Sequence, residues 1–310
     1  MSAPRPRLVV PLALIAILAV LVAGCGSSDS ARTTGSAGEK LNVVAAEDFW
    51  GSIAEQLGGE KVEVTNIITN PAADPHDYEP TSEDAKTLAG AQMSIVNGIG
   101  YDEWASKLLA ASPESSRTEL VVGDVVGLKD GDNPHQWYSP ISVGKVIDAI
   151  TADYKQALPG NDSYFDQERK SFETKGLAEY NSLISQIKAA YAGTPVGASE
   201  SIFEPLAPSL GLKLITPLGF MDGIAEGTEP TPADKATADE QIKDNQIKLW
   251  VYNSQNATPD VKRLNEEAES AGIPIATVTE TLTPEGASFQ DWMVAELKGI
   301  KAALAEGAGG

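Results

Sequence analysis

Twice along the chain, short runs rich in apolar and β-branched residues alternate with segments of helical spacing, and no other feature restricts the fold as strongly. The first series places strands at 41–46, 62–69, 93–96 and 119–122, with helices at 49–57, 82–88 and 101–111 between them. The second places strands at 195–198, 212–216, 248–252 and 273–278, with helices at 202–210, 233–246, 259–270 and 289–305. Strand alternating with helix requires crossovers between parallel strands. The pattern therefore predicts an α/β fold of two parallel-sheet lobes with helices on both faces.

A helical stretch separates the two series. Residues 141–158 carry Val143, Val146, Ile147, Ile150 and Tyr154 at helical spacing, and Pro159-Gly160 ends them. Asn161 or Asp162 then opens a second helix that runs to about Ala192. Thirty or so residues at 1.5 Å each give about 45 Å, enough to run the length of both lobes. We expect one long backbone helix over 161–192 joining an N-terminal lobe, 41–160, to a C-terminal lobe, 193–310. Such a strut implies small lobe motions. The alternative is a pair of separate helices within one lobe.

The first residues read as an address. Arg5 and Arg7 precede the fifteen apolar residues 8–22, too few for a comfortable membrane span but suited to a signal peptide over 1–24. The stretch Leu21-Val22-Ala23-Gly24-Cys25 resembles a bacterial lipobox, which implies cleavage before Cys25 and a diacylglycerol on its sulfur. Small polar residues to position 40 then form a flexible tether. The expected location is the extracytoplasmic face of a bacterial cell membrane, held by a lipid anchor on Cys25.

Composition narrows the chemistry. There are 23 Lys and Arg against 44 Asp and Glu, a formal net charge of −21, which argues against binding a phosphate backbone. One Cys excludes an internal disulfide and a thiolate zinc cluster. The two His, His76 and His135, lie in near-duplicate contexts, Asp74-Pro75-His76-Asp77-Tyr78 and Asn133-Pro134-His135-Gln136-Trp137. Each follows a strand of the first series, where open α/β sheets bind ligands. Proline stiffens each turn, and the aromatic two residues on can wall off water. A shared metal site explains this duplication better than two packed imidazoles do. Its remaining ligands must be carboxylates. Spacing does not choose among 44 acids; Glu200 and Glu280 both stand at strand ends in the second series, although each alone reads better as a solvated helix-capping carboxylate.

The segments DPHDYEPTSEDAKTLAGA, IVNGIGYDEW, NPHQWYSP, GASESIFEPLAPSLGL, EGTEPTP and IPIATVTETL, in this order, resemble the zinc- and manganese-binding solute-binding proteins of ABC transporters. The resemblance covers residues 41–308. It implies one divalent ion between two α/β lobes, with His76, His135, Glu200 and Glu280 as ligands. Glu280 stands where the family usually has Asp. The His-rich loop of some zinc-binding members is missing, since residues 123–132 hold no His. The implied function is extracytoplasmic capture of zinc or manganese as a transported ligand. The implied partners are an ABC permease and its ATPase, with the binding protein itself a monomer. Two imidazoles and two carboxylates neutralise a divalent ion, and this donor set suits either metal. The alternatives are a metal-binding surface adhesin and a metal-dependent hydrolase, although HExxH and GxSxG motifs are both absent.

Overall fold

The computed structural model describes residues 40–71 and 78–309. Cys25, the expected signal peptide and His76 lie outside the described residues. Two four-stranded sheets organise the described chain. The first contains β1 (Leu41–Glu47), β2 (Val62–Ile68), β3 (Met93–Val96) and β4 (Thr118–Val121), in the order β2-β1-β3-β4. The second contains β5 (Pro195–Ala198), β6 (Lys213–Leu214), β7 (Trp250–Asn253) and β8 (Ile275–Val278), in the order β6-β5-β7-β8. All six strand pairings are parallel. This is the α/β architecture read from the alternation. β1 and β3 are almost wholly buried, as parallel strands covered on both faces must be.

Both orders reverse direction once, between β1 and β3 and between β5 and β7. At such a switch point the crossovers leave in opposite directions and open a crevice at the C-terminal strand ends. The two sheets thus supply two crevices, and the polar residues that end these strands become the natural site formers.

Helices cover the sheets. α1 (Asp48–Gly58), α2 (Ser82–Ala89) and α3 (Glu103–Ala111) are the helices of the first series, and α4 (Val122–Val126) and α5 (Pro140–Ala157) follow β4. The cap of α2 is Thr81. Its hydroxyl accepts from the Asp84 amide, and Asp84 answers with its carboxylate on the Thr81 amide, a reciprocal pairing that satisfies two orphan donors. Val122, expected as the last strand residue, instead opens α4, a short helix closed by Gly127 at φ 83°.

The stretch between the sheets is helical but interrupted. α6 (Asp162–Ser171) and α7 (Ala178–Tyr191) are joined by a π-helical turn, Phe172–Gly176, in which the Leu177 amide donates to the Phe172 carbonyl at 2.8 Å. The widened turn lets Phe172 and Leu177 both face inward. Gly176 makes room for this, because a Cβ there would sit 2.9 Å from the Phe172 ring. α6 packs on α1 and α5, whereas α7 packs on α11 (Phe289–Gly309).

In the second series, α8 (Leu218–Ala225), α9 (Pro232–Lys243) and α10 (Pro259–Ser270) precede α11. The helix expected over 202–210 is instead a short 3-10 turn, Ser201–Phe203, followed by irregular turns. Pro205 and Pro208 explain this, since each lacks the amide a continuing helix needs. α8 escaped the sequence reading because Gly219 and Gly223 lower its helix propensity. They are small because Asp234 and Pro230 press against them. One hydrophobic core runs from Leu41 to Leu304 and takes in residues of both sheets; a smaller cluster around Val44, Val96 and Leu109 lies on the other face of the first sheet.

Candidate metal centre

The strand ends of the two sheets deliver the candidate ligands. β4 and α4 lead into the turn carrying His135, β5 leads directly to Glu200, and β8 leads to Glu280. All three side chains are buried, His135 completely. A buried imidazole beside two buried carboxylates needs compensating partners.

Asn133 determines how His135 presents itself. The Asn133 side-chain oxygen accepts from the His135 amide at 3.0 Å and lies 2.8 Å from Nδ1. Its Nδ2 donates to the Ser201 carbonyl and to the Glu204 carboxylate, both at 2.7 Å. Those two acceptors settle which way round the amide sits, so its oxygen faces the ring and Nδ1 is the protonated nitrogen. Nε2 then directs its lone pair away, and it stands 3.6 Å from Glu280 Oε1. Two ligands each about 2 Å from one ion are at most about 4 Å apart. His135 and Glu280 meet that condition.

The second sheet joins Glu200 to Glu280 through Asn253, the last residue of β7. Its Nδ2 donates to Glu200 Oε2 at 2.9 Å and to Glu280 Oε1 at 3.0 Å. Tyr101 donates to the other Glu280 oxygen at 2.9 Å, reaching across from the first sheet. Glu200 precedes the 3-10 turn but makes no capping bond with its side chain. The capping role weighed for it is therefore not the one it plays. Among the described residues no group of three His, Cys, Asp or Glu side chains is drawn close enough to hold an ion.

Rings wall the histidine. Trp137 meets His135 edge-on at 5.3 Å between centroids and stacks on Phe49 at 4.0 Å, and Tyr101 closes another side. Apolar walls lower the local dielectric and strengthen every charge interaction they enclose. Behind them the end of β3 is tied to the histidine turn. Asn97 accepts from Trp50 Nε1 at 2.9 Å and donates to the Pro134 carbonyl at 3.0 Å. Asp102 in turn accepts from the Asn97 and Gly98 amides at 2.6 and 2.7 Å. Glu47, the fully buried end of β1, has its carboxyl pushed well above the usual range by burial and by the charge of Asp102. Burial likewise raises Asp102 itself.

A cleft of about 740 Å³ opens onto His135, lined on the second-sheet side by Ser201, Glu204 and Asp222. The sequence reading named His135, Glu200 and Glu280 but missed Tyr101, Asn253 and Asn97. Their only signal is a polar or phenolic side chain at or just after the C-terminal end of a strand.

Comparison with known proteins places the chain and its fold. The family model described as zinc-uptake complex component A, periplasmic, matches residues 43–303. The manganese-binding lipoprotein MntA of Halalkalibacterium halodurans is 30% identical over 149 residues, 47% of this chain and 49% of that protein. The high-affinity zinc uptake system protein ZnuA of Bacillus subtilis is 24% identical over 299 residues, 90% of each chain. The manganese ABC transporter substrate-binding lipoprotein PsaA of Streptococcus pneumoniae serotype 4 is 24% identical, covering 95% of this chain and 98% of that protein. The chain thus spans about half of the first relative and nine-tenths or more of the other two. Among solved structures, the manganese-bound periplasmic metal binding protein of candidatus liberibacter asiaticus superposes with a TM-score of 0.69 at 21% identity, over 86% of this chain and all of that one. The nickel complex of the solute-binding protein FpvC from P. aeruginosa gives 0.70 at 20% identity, over 86% of this chain and 98% of that one. With two parallel sheets meeting at strand-end loops that carry an imidazole and two buried carboxylates, and a family model matched over residues 43–303, the chain belongs to the family of periplasmic zinc-uptake component A proteins.

Proposed function

We propose that the protein captures zinc or manganese outside the cytoplasmic membrane and delivers it to an ABC permease and its ATPase. The observation that carries this reading is the His135–Glu280 pair. A histidine with Nδ1 held by Asn133 turns its Nε2 lone pair toward a buried carboxylate 3.6 Å away. Two electron-rich atoms so placed want a cation between them. The ligand set we propose is His76, His135, Glu200 and Glu280, the first contributed by the other proline-led turn. Imidazole and carboxylate together suit zinc or manganese, and the two carboxylates offset the ion's charge. By name the relatives are a manganese-binding lipoprotein, a high-affinity zinc uptake system protein and a manganese ABC transporter substrate-binding lipoprotein, which supports the same cargo.

Delivery follows from the architecture. An ion held between loops of the two sheets stabilises their closed arrangement, and a permease that recognises the closed form receives only loaded protein. Residues 41–160 and 193–310 would act as the two lobes and 161–192 as their link. A lipid on Cys25 would hold a monomer at the outer face of the membrane. The hydrolase alternative asks Glu200 or Glu280 to serve as a general base; both oxygens of Glu280 are instead engaged, by Asn253 and Tyr101.

Calorimetric titration of the chain with zinc and with manganese tests this. The parent binds one ion. His135→Ala loses more than about 100-fold in affinity, beyond the range of changes outside the ligand shell. Unchanged affinity in that variant places the site elsewhere.

A further inference from the structure

α11 sends one carboxyl toward the site, and the proposed function leaves it without a role. Glu296 Oε2 lies 2.6 Å from the Tyr138 hydroxyl. That hydroxyl lies 2.9 Å from the Thr279 carbonyl. Glu296 Oε1 accepts from the Thr279 amide at 3.0 Å and sits 3.1 Å from the Thr279 hydroxyl. Trp292 Nε1 completes the cluster by donating to that hydroxyl at 2.8 Å. Tyr138 and Thr279 are both buried. Glu296 as a residue is half-buried, with its carboxyl end turned into this cluster.

Counting protons assigns the roles. A phenol has one hydrogen, and a carbonyl oxygen has none to give. The Tyr138 oxygen has two oxygen neighbours at hydrogen-bond distance, so both contacts are hydrogen bonds only if one neighbour donates. The carbonyl has no proton, so the donor at the second oxygen contact is Glu296, beside the Thr279 amide, which also points at the phenol oxygen at 3.3 Å. Tyr138 then donates to the Thr279 carbonyl and receives from Glu296 Oε2, while Oε1 remains the acceptor for the Thr279 amide. Burial independently pushes the Glu296 carboxyl up to about 8. The titratable groups facing it are Tyr138 itself and, beyond the phenol, Glu280.

We propose that Glu296 is a positioning residue whose neutral carboxyl latches the loop bearing Glu280 to the turn bearing His135. Tyr138 stands three residues after His135, and Thr279 immediately precedes Glu280. The latch therefore sets the spacing of the two candidate ligands from outside the ligand set, and it spans the two sheets without needing an ion. As a statement about metal affinity it rests on the metal-capture reading.

The test uses the full chain and the variants Glu296→Gln, Glu296→Ala and Tyr138→Phe, with zinc or manganese alone as probe. Glutamine reproduces a neutral carboxyl, its oxygen accepting from Thr279 and its NH₂ donating to Tyr138. Two quantities are read: amide exchange over residues 279–282 in metal-free protein, and the calorimetric Kd. Alanine and phenylalanine are expected to speed exchange and to weaken binding by about tenfold or more each, the lower bound for outer-shell partners of a metal site. Glutamine leaves both near the parent's values. The latch is overturned if glutamine falls as far as alanine, since the group then works as a carboxylate. It is equally overturned if alanine and phenylalanine both keep the parent's exchange and Kd. Should Glu296→Ala not fold, Tyr138→Phe against Glu296→Gln carries the comparison. A parent chain that binds neither ion, with the exchange pattern as expected, refutes metal capture and leaves the latch supported.

Discussion

At the scale of single residues, the site depends on amides as much as on ligands. Asn133 holds the histidine with its side-chain oxygen and is itself oriented through its nitrogen by Ser201 and Glu204, and Asn253 shares one nitrogen between two carboxylates. Each is irreplaceable for a different reason. Asn133 must accept from the histidine and donate to Ser201 and Glu204, whereas Asn253 donates between two negative groups while its oxygen accepts from the Gln255 amide at 3.0 Å. Asn133→Ala is expected to weaken zinc or manganese binding about 10–100-fold, as removal of an outer-shell partner does, and calorimetry reads it directly. The Asn-Pro-His motif put Asn133 in view as an amide beside the ring. Its hold on Nδ1 became visible only once Ser201 and Glu204 showed which way round the amide sits.

At the scale of elements, the informative ones carry buried acids. Burial raises Glu296 on α11 from 4.5 to about 8 and Asp48 at the start of α1 from 3.8 to about 6. The Leu282 amide, across from the second sheet, pulls Asp48 partly back. In both, the folded state keeps a proton that the unfolded chain releases. The stability each contributes is full below its unfolded value and is lost as pH rises through the folded one. For Glu296 that window runs from about pH 4.5 to about pH 8, with a slope of at most about 1.4 kcal/mol per pH unit. Urea titrations of metal-free Glu296→Gln are therefore expected to show a flatter decline between pH 5 and 8 than the parent. β5 offers a second prediction. A Cβ on Gly197 would lie 2.8 Å from the Trp250 ring and 2.9 Å from Ile247. Gly197→Ala should cost about 1–3 kcal/mol of stability in urea melts, the usual range for overpacking.

For the whole molecule, the shared core decides how far anything can move. Two sheets served by one continuous set of buried residues resist a wide hinge. α11 reinforces this by packing on β8, α7 and α1, with a reciprocal amide pair between Gln56 and Gln290. Closure around an ion is then a matter of loop adjustment and small sliding. Saturating metal should still raise the melting temperature by several degrees and a chelator should reverse it, since ligand at a thousand times Kd stabilises by about 4 kcal/mol. None of the described helices is long and apolar enough to cross a membrane. If Cys25 carries the anchor, Cys25→Ala moves the protein from the membrane to the soluble fraction on cell fractionation.

From the residues alone came the alternation of strand and helix, and with it the two parallel sheets, because hydrophobic periodicity is a local property of the chain. The same local reading picked out His76 and His135 by their duplicated turns, whereas Glu200 and Glu280, strand-terminal among many acids, entered the ligand set through the family resemblance. It overran at 202–210 and passed over α8, where prolines and glycines serve packing rather than propensity. Tyr101, Asn97, Asn253 and Glu296 belong to the tertiary structure. Their distant partners lie between 17 and 179 positions away in sequence, beside near contacts such as Asn97 with Gly98 and Asn253 with Gln255. Which polar side chains meet is decided by strand order at the two switch points, and no pattern within one segment encodes that.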